Sequence, residues 1–267
     1  MKAKKSLGQH FLKSDSVLER ITETVCIKKN QTIIEIGPGH GELTKKLLKR
    51  EANVIAIEKD QELISELKKT FKKEIEEKKL QIINSDIRKI ETKDIVSKKD
   101  RENGFKVVGN IPYYITGFLL RSFLSNSPKP NQIIFLIQKE VAERIIKSKK
   151  ESLLSLSVKV YGEPKYIKTV KAGSFSPPPK VESAIVSIEN IKDDFKNKKE
   201  ELFFFQVLKT SFSQKRKTLI GNLSRDFNKE RLETAFKNSN INIKERAEDI
   251  PLEKWKVLVS SLKNPEK

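Results

Sequence analysis

The sequence predicts an α/β protein: a mostly parallel sheet with a C-terminal antiparallel strand, followed by a small all-helical domain. Apolar, β-branched runs alternate with amphipathic helical stretches as far as Gln138, the pattern of parallel strands joined by helical crossovers. Two later apolar runs are joined by Ser174-Phe175-Ser176-Pro177-Pro178-Pro179, too short for a crossover helix, so they should pair antiparallel. Lys192–Glu200 is charged and poor in apolar residues, and beyond it only helical periodicity remains.

Each element has its own signal. Thr32–Ile36 reads as the first strand, and Gly41–Arg50 as a helix with Leu43, Leu47 and Leu48 inward. Asn53–Ile57 is a second strand, and Gln61–Lys79 a charged helix with Leu63, Ile64, Leu67 and Phe71 on one face. Leu80–Ile83 and Lys106–Val108 follow as strands, then Ile115–Leu124 as a helix. Gln132–Ile137 is apolar enough to be a strand buried on both faces. Lys139–Lys147 and Leu153–Tyr161 read as helices, and Tyr166–Val170 and Ala184–Ile188 as the last strands. Leu202–Phe212, Lys229–Asn238 and Leu252–Leu262 complete the helical part. The expected domains are residues 1–192 and 200–267.

Charged residues are 34% of the 267, above the roughly 25% of ordinary globular domains. Lys plus Arg exceeds Asp plus Glu by 55 − 36 = 19. Such a surplus fits a polyanionic partner, most simply nucleic acid, although a solvated lysine-rich surface gives the same number. Cys26 is the only cysteine, so no intrachain disulfide forms, and with only His10 and His40 beside it a structural zinc site is not expected. The N-terminal segment lacks a signal peptide's apolar core, and the longest apolar run, Ile133–Ile137, is far short of a membrane span. The expectation is a cytoplasmic protein, with nothing that demands more than a monomer.

Glu35-Ile36-Gly37-Pro38-Gly39-His40-Gly41 is a glycine-rich turn from a strand into a helix. Gly37, Gly39 and Gly41 permit positive φ and close approach of backbone to a ligand, at the place where parallel sheets bind nucleotides. Their G-x-G-x-G spacing differs from the dinucleotide G-x-G-x-x-G, and such turns also serve as plain connections. Glu58 ends the second strand, where a carboxylate can accept from the ribose hydroxyls of an adenosine. Asp86 follows the third strand, within reach of an adenine edge, or equally placed to cap a helix.

Asn110-Ile111-Pro112-Tyr113 follows the fourth strand. An adenine amine is a weak nucleophile because its lone pair is delocalised into the ring. Transfer from a sulfonium needs no strong base, since the leaving group is neutral, but it needs the amine aimed at the methyl with its lone pair localised. The Asn110 amide oxygen and a main-chain carbonyl, of Ile111 or Pro112, can accept the two N–H bonds and hold that geometry. Tyr113 supplies a ring for the base to stack on. Cofactor cradle plus amine grip implies methyl transfer to a nucleobase.

The chain resembles the ribosomal RNA adenine N6-dimethyltransferase family, nearly end to end. The likeness is carried by Ser6-Leu7-Gly8-Gln9-His10-Phe11-Leu12, Glu35–Gly41, Glu58, Asp86, Asn110–Tyr113 and Gln138-Lys139-Glu140-Val141-Ala142. Phe175–Ala184, Ser213-Gln214-Lys215-Arg216-Lys217-Thr218-Leu219 and Arg246-Ala247-Glu248-Asp249 extend it. The resemblance implies a Rossmann-like class I methyltransferase sheet with S-adenosyl-L-methionine as methyl donor. It places His10, Leu12, Gly37, Gly39, Gly41, Glu58, Asp86 and Asn110 at the cofactor: Gly37 at the methionine moiety, Glu58 at the ribose, Asp86 at the adenine. It places Asn110, Tyr113 and Phe175 at the target base, with Phe175 closing its second face; the residue alone fits a core position as well as a clamp. Some members carry Asn at the position of His10.

The small-subunit branch of the family is the nearest likeness, which implies dimethylation of two adjacent adenosines near the 3′ end of small-subunit RNA in an assembling subunit. The triple proline, Lys180-Val181-Glu182-Ser183-Ala184 and the C-terminal motifs favour it over the antibiotic-resistance branch, which dimethylates one large-subunit adenosine. A non-catalytic ribosome assembly factor could share this fold, but the intact Asn110/Tyr113 pair and cofactor turn argue against loss of activity. A nicotinamide oxidoreductase could share Glu58, but the glycine spacing and Asn-Ile-Pro-Tyr disfavour it. The helical domain is expected to contact RNA, with candidates for backbone contact in Lys2, Lys4, Lys5, Lys147, Lys149, Lys150, Lys215, Arg216 and Lys217.

Overall fold

The computed structural model describes residues 8–263, so Lys2, Lys4, Lys5, Ser6 and Leu7 lie outside the described residues. Its strands are β1 (Phe11–Leu12), β2 (Thr32–Ile36), β3 (Asn53–Glu58), β4 (Leu80–Asn84), β5 (Lys106–Asn110), β6 (Gln132–Gln138), β7 (Glu163–Val170), β8 (Phe175–Ser176) and β9 (Ser183–Glu189). Seven of them form one sheet in the order β4-β3-β2-β5-β6-β9-β7. The five from β4 to β6 are parallel, β9 runs antiparallel to β6, and β7 antiparallel to β9. β1 and β8 pair separately as a short antiparallel ribbon.

All five residues of β2 are buried, and so are the first six of β6, because helices cover both faces of a parallel sheet. The chain moves outward from β2 to β4 and returns on the other side of β2 as β5. That reversal opens a crevice between the C-terminal ends of β2 and β5. Ile36 pairs with Gly109, so the glycine turn after Ile36 and the Asn110 segment emerge side by side.

Thr32–Ile36 forms as expected, and the other expected strands extend by one to three residues, chiefly at their C-terminal ends. The helix expected over Gln61–Lys79 instead breaks into Gln61–Thr70 and Lys72–Glu76. Phe71 interrupts it with a non-helical backbone and a side chain only 4% exposed. The helix Asp15–Val25, unassigned from sequence, packs Val17, Leu18, Ile21 and Val25 into the core.

The chain divides into two compact units. One holds the residues up to Ala142 with Gly162–Ile191; the other holds Glu143–Tyr161 with the residues from Lys192 on. The linear division at 192–200 therefore leaves out one piece: Glu143–Tyr161 packs with the helical unit. Tyr161 ties it there. Its hydroxyl donates to Glu201, and its ring lies 5.7 Å from that of Phe195 and 6.0 Å from that of Phe205, centroid to centroid.

Candidate functional site

A cavity of about 890 Å³, its mouth included, lies at the C-terminal ends of β2, β3, β4 and β5. His10, Gly37, Gly39, Glu58, Asp86, Asn110 and Tyr113 all line it. The walls between them are largely apolar, with Ile36, Ile57, Leu63, Ile87 and Ile111.

Gly37 and Gly39 have φ of 65° and 59°, conformations that disfavour any side chain. A Cβ on Gly37 would meet only the Asn110 carbonyl, at 3.8 Å, so the space above it is open to a ligand. A Cβ on Gly39 would come within 2.9 Å of the Phe11 ring, which crosses the turn and lies 4.4 Å from the His40 ring. Gly41 has a different job. Its Cβ would fall 2.5 Å from Phe71 and 2.9 Å from Leu67, so it is a packing glycine at the start of the helix and does not line the cavity.

Glu58 is 8% exposed. Its Oε1 accepts from the backbone N–H of Lys59 at 2.8 Å and of Asp60 at 2.9 Å, while Oε2 has only a long contact to Gly39 N at 3.4 Å. One carboxylate oxygen is thus anchored and the other is left for a ligand. Burial raises its pKa, opposed by those backbone bonds. Glu35, fully buried beneath the turn, accepts from the Thr44 hydroxyl at 2.6 Å, and burial pushes its carboxyl up to about 7.

Asp86 is held well below the usual carboxylate range, first by the Arg88 guanidinium. Oδ1 accepts from Arg88 N and Nε, both at 3.0 Å; Oδ2 accepts from an Arg88 terminal nitrogen at 2.6 Å and from Lys59 Nζ at 3.1 Å. An amine donor at Asp86 must share or displace these cations.

Asn110 Nδ2 donates to the His10 carbonyl at 2.7 Å. This bond fixes the amide orientation and leaves Oδ1 as a free acceptor. The Pro112 carbonyl accepts from Ile115 N at 3.1 Å, whereas that of Ile111 has no such turn bond among the described residues. Tyr113 donates to or accepts from Ser183 Oγ at 2.7 Å and stacks 6.2 Å from the His10 ring. His10 Nδ1 donates to the Pro177 carbonyl at 2.8 Å. Together these bonds tie the N-terminal segment, the Asn110 segment and the Pro-rich loop to one another.

Two expected residues besides Gly41 stand elsewhere. Leu12 is core, 7% exposed, and lines a neighbouring hollow that shares Gly37, Gly39 and Asn110. Phe175 is 5% exposed and belongs to the core cluster; β8 pairs it with Leu12, and it does not line the cavity. Gln9 and Phe11, inside the N-terminal motif but given no role by it, and Lys59, Arg88 and Tyr114, outside every motif, also line the cavity. Gln9 and Phe11 flank His10, and Lys59 and Arg88 sit within two residues of the acids; that adjacency is the signal the sequence offers for them.

A parallel sheet with a glycine turn after β2, a buried carboxylate after β3 and an Asn-Ile-Pro-Tyr segment after β5 defines a class I methyltransferase. The sequence model of the ribosomal RNA adenine dimethylase family matches residues 1–264, and the chain belongs to that family. It is 39% identical over 261 residues to the ribosomal RNA small subunit methyltransferase A of Dehalococcoides mccartyi (strain CBDB1), covering 97% of this chain and 88% of that one. The protein of the same name from Fusobacterium nucleatum is 36% identical, with 97% of each chain covered. Among solved structures, a dimethyladenosine transferase from Plasmodium falciparum superposes with a TM-score of 0.74 at 28% identity, over 93% of this chain and 96% of that one. The 23S rRNA methyltransferase ErmE shares the fold, with a TM-score of 0.75 at 22% identity, over 95% of this chain and all of that one. The chain is thus an S-adenosyl-L-methionine-dependent methyltransferase.

Proposed function

We propose that the chain transfers methyl groups from S-adenosyl-L-methionine to the N6 amines of two adjacent adenosines near the 3′ end of small-subunit ribosomal RNA, within an assembling subunit. The observation that supports the reading is Asn110: its Nδ2 is spent on the His10 carbonyl, which leaves Oδ1 as the amide atom able to accept from the target amine. The relatives' shared name favours the small-subunit RNA over the large.

The cavity fits the cofactor. The open space above Gly37 suits the methionine moiety, the unanchored Oε2 of Glu58 suits the ribose hydroxyls, and Asp86 suits the adenine amine. Bound there, the cofactor supplies an electrophilic methyl on a sulfonium. The protein's part is positioning. Asn110 Oδ1 and the Ile111 carbonyl accept the two N–H bonds of the target amine, which localises its lone pair toward the methyl. Tyr113 stacks on the base, held by Ser183 and His10. No general base is required, because the proton leaves after the new bond has formed. The base reaches this depth only when unstacked from its strand. Phe175 takes part only if the ribbon of β1 and β8 opens, since that ribbon holds it in the core.

The positive surface supplies the RNA affinity. Lys215, Arg216 and Lys217 are exposed on the segment before the helix Leu219–Leu223, and Lys149 is exposed as well. Lys150 is a weaker candidate, because it is paired with Glu248 and Asp249. A ribosomal RNA substrate fits a cytoplasmic protein, and the reading takes it to act as a monomer.

Mapping modified nucleotides in small-subunit particles lacking the modification, after incubation with enzyme and labelled cofactor, tests the reading. Label in two adjacent N6,N6-dimethyladenosines supports it. Label confined to one large-subunit adenosine, or none, contradicts it.

A further inference from the structure

The face of the helix Thr116–Ser125 turned away from the sheet is wrong for a helix that only supports the site. Its inner side carries Leu119, Leu120, Phe123 and Leu124, all buried. Its outer side should be polar. Instead Tyr114 is 64% exposed and Phe118 45% exposed, and they are two of the six large exposed hydrophobics among the described residues. Single exposed apolar residues need no explanation, but Tyr114, in the 3-10 turn Tyr113–Ile115 that leads into the helix, and Phe118, in the helix's first turn, stand four positions apart and are both exposed. Gly117 lies between them with nothing within 4 Å of where its Cβ would be, and exposed Arg121 follows one turn on. Arg121 has no carboxylate partner among the described residues. The stripe Tyr114, Gly117, Phe118, Arg121 therefore reads aromatic, flat, aromatic, cationic.

The stripe is also continuous with the site. Tyr114 lines the cavity directly beside Tyr113, so the stripe starts at the cavity mouth and runs outward. A base unstacked into the cavity leaves its strand neighbours without partners. Exposed aromatic rings with an adjacent cation are how proteins hold such single-stranded nucleotides. A bare glycine between two rings lets a flat group lie across the helix. Protein interfaces are also rich in Tyr, Phe and Arg; what favours RNA here is that the stripe begins at the mouth of the cavity that takes the unstacked base.

We propose that Tyr114 and Phe118 form a stacking platform for the nucleotides that flank the target adenosine, with Arg121 taking a backbone phosphate. The platform rests on the RNA-methylation reading. It gives the strand a place to stay while the adjacent adenosine takes its turn in the cavity, and it makes Tyr114 a positioning residue outside the reaction itself.

The test uses the full chain with two probes. One is a short single-stranded RNA with two adjacent adenosines and 2-aminopurine at the next position, read by fluorescence quenching. The other is methylation of small-subunit particles lacking the modification. Tyr114→Leu and Phe118→Leu should each lose quenching and raise KM for the particle several-fold, and the double variant about tenfold. S-adenosyl-L-methionine affinity should not change in Phe118→Leu, which lies outside the cavity, and Tyr114→Phe should behave as wild type. A merely structural role would not separate Phe from Leu at a residue this exposed. Wild-type quenching and KM in the double variant would overturn the platform. Raised KM for particles with intact quenching of the RNA probe would assign the face to a protein and overturn it equally. If the wild type methylates no particle, the functional reading and the platform fall together; if it does and the double variant matches it, only the platform falls.

Discussion

Glu58 offers a perturbation whose size can be worked from geometry. Oε1 is committed to Lys59 N and Asp60 N, at 2.8 and 2.9 Å, and Oε2 is the oxygen left for the ribose. Glu58→Gln can keep the anchored oxygen and replace the free one by an NH2 group. It removes the charge and the outward acceptor while the backbone N–H groups stay satisfied. A hydrogen bond to a charged group contributes about 1.5–3 kcal/mol, and each 1.4 kcal/mol is about a factor of ten. Calorimetric titration should therefore show S-adenosyl-L-methionine binding weakened at least about tenfold. Glu58→Ala should weaken it further and also lower the melting temperature, because two backbone N–H groups lose their acceptor, at about 1–3 kcal/mol each. A folded Glu58→Ala protein with wild-type affinity would refute the ribose assignment.

The same geometry sets further expectations. Glu35 keeps its proton in the native state up to about 7, against 4.5 ordinarily. Between those values the unfolded chain releases a proton that the folded chain holds, so stability falls as pH rises through this window. The loss is on the order of 3 kcal/mol above it; urea midpoints of Glu35→Gln should be flatter between pH 5 and 8 than those of the wild type. Gly41→Ala should cost stability, about 2–4 kcal/mol from overpacking against Phe71 and the positive φ, whereas Gly37→Ala, with open space around it, should cost only the backbone strain of about 1–2 kcal/mol and weaken cofactor binding; thermal melts and titrations separate the two. RNA affinity should fall steeply with salt, and neutralising Lys215, Arg216 and Lys217 should flatten the log–log slope by about one per lost phosphate contact. Lys150→Ala should change that slope less, since Lys150 already has carboxylate partners.

Much of the fold is legible because parallel strands announce themselves. Thr32–Ile36 is β-branched and mostly apolar and Ile133–Ile137 is a continuous apolar run, and the residues that follow strands fall by topology at one edge of the sheet. Hence Gly37, Gly39, Glu58, Asp86, Asn110 and Tyr113 can be gathered from strand ends in the sequence, His10 is added only by the family resemblance, and all share one cavity. Gly41 shows the limit: a glycine in the motif looks the same whether a ligand or Phe71 demands it. Phe175 shows another, since a two-residue strand has no periodicity to reveal its pairing with Leu12. The discontinuous helical unit is hidden because linear order carries no record of Tyr161 packing against Phe195 and Phe205. The engagement of Asp86 by Arg88 and Lys59 needs side-chain positions that spacing does not supply.

The grip of Asn110 on the target amine underlies the whole mechanism, and single-turnover methylation by Asn110→Ala probes it without intermediaries. The amide acts chiefly in the transition state. The variant should methylate about 10²–10³ times more slowly, comparable to losing one preorganised hydrogen-bonding group in an active site. RNA binding should be nearly unchanged, because the basic surface supplies it. Tyr113→Ala, measured alongside, should lower both rate and binding. Methylation by Asn110→Ala at the wild-type rate would contradict the amine-grip mechanism, whatever the family of the chain.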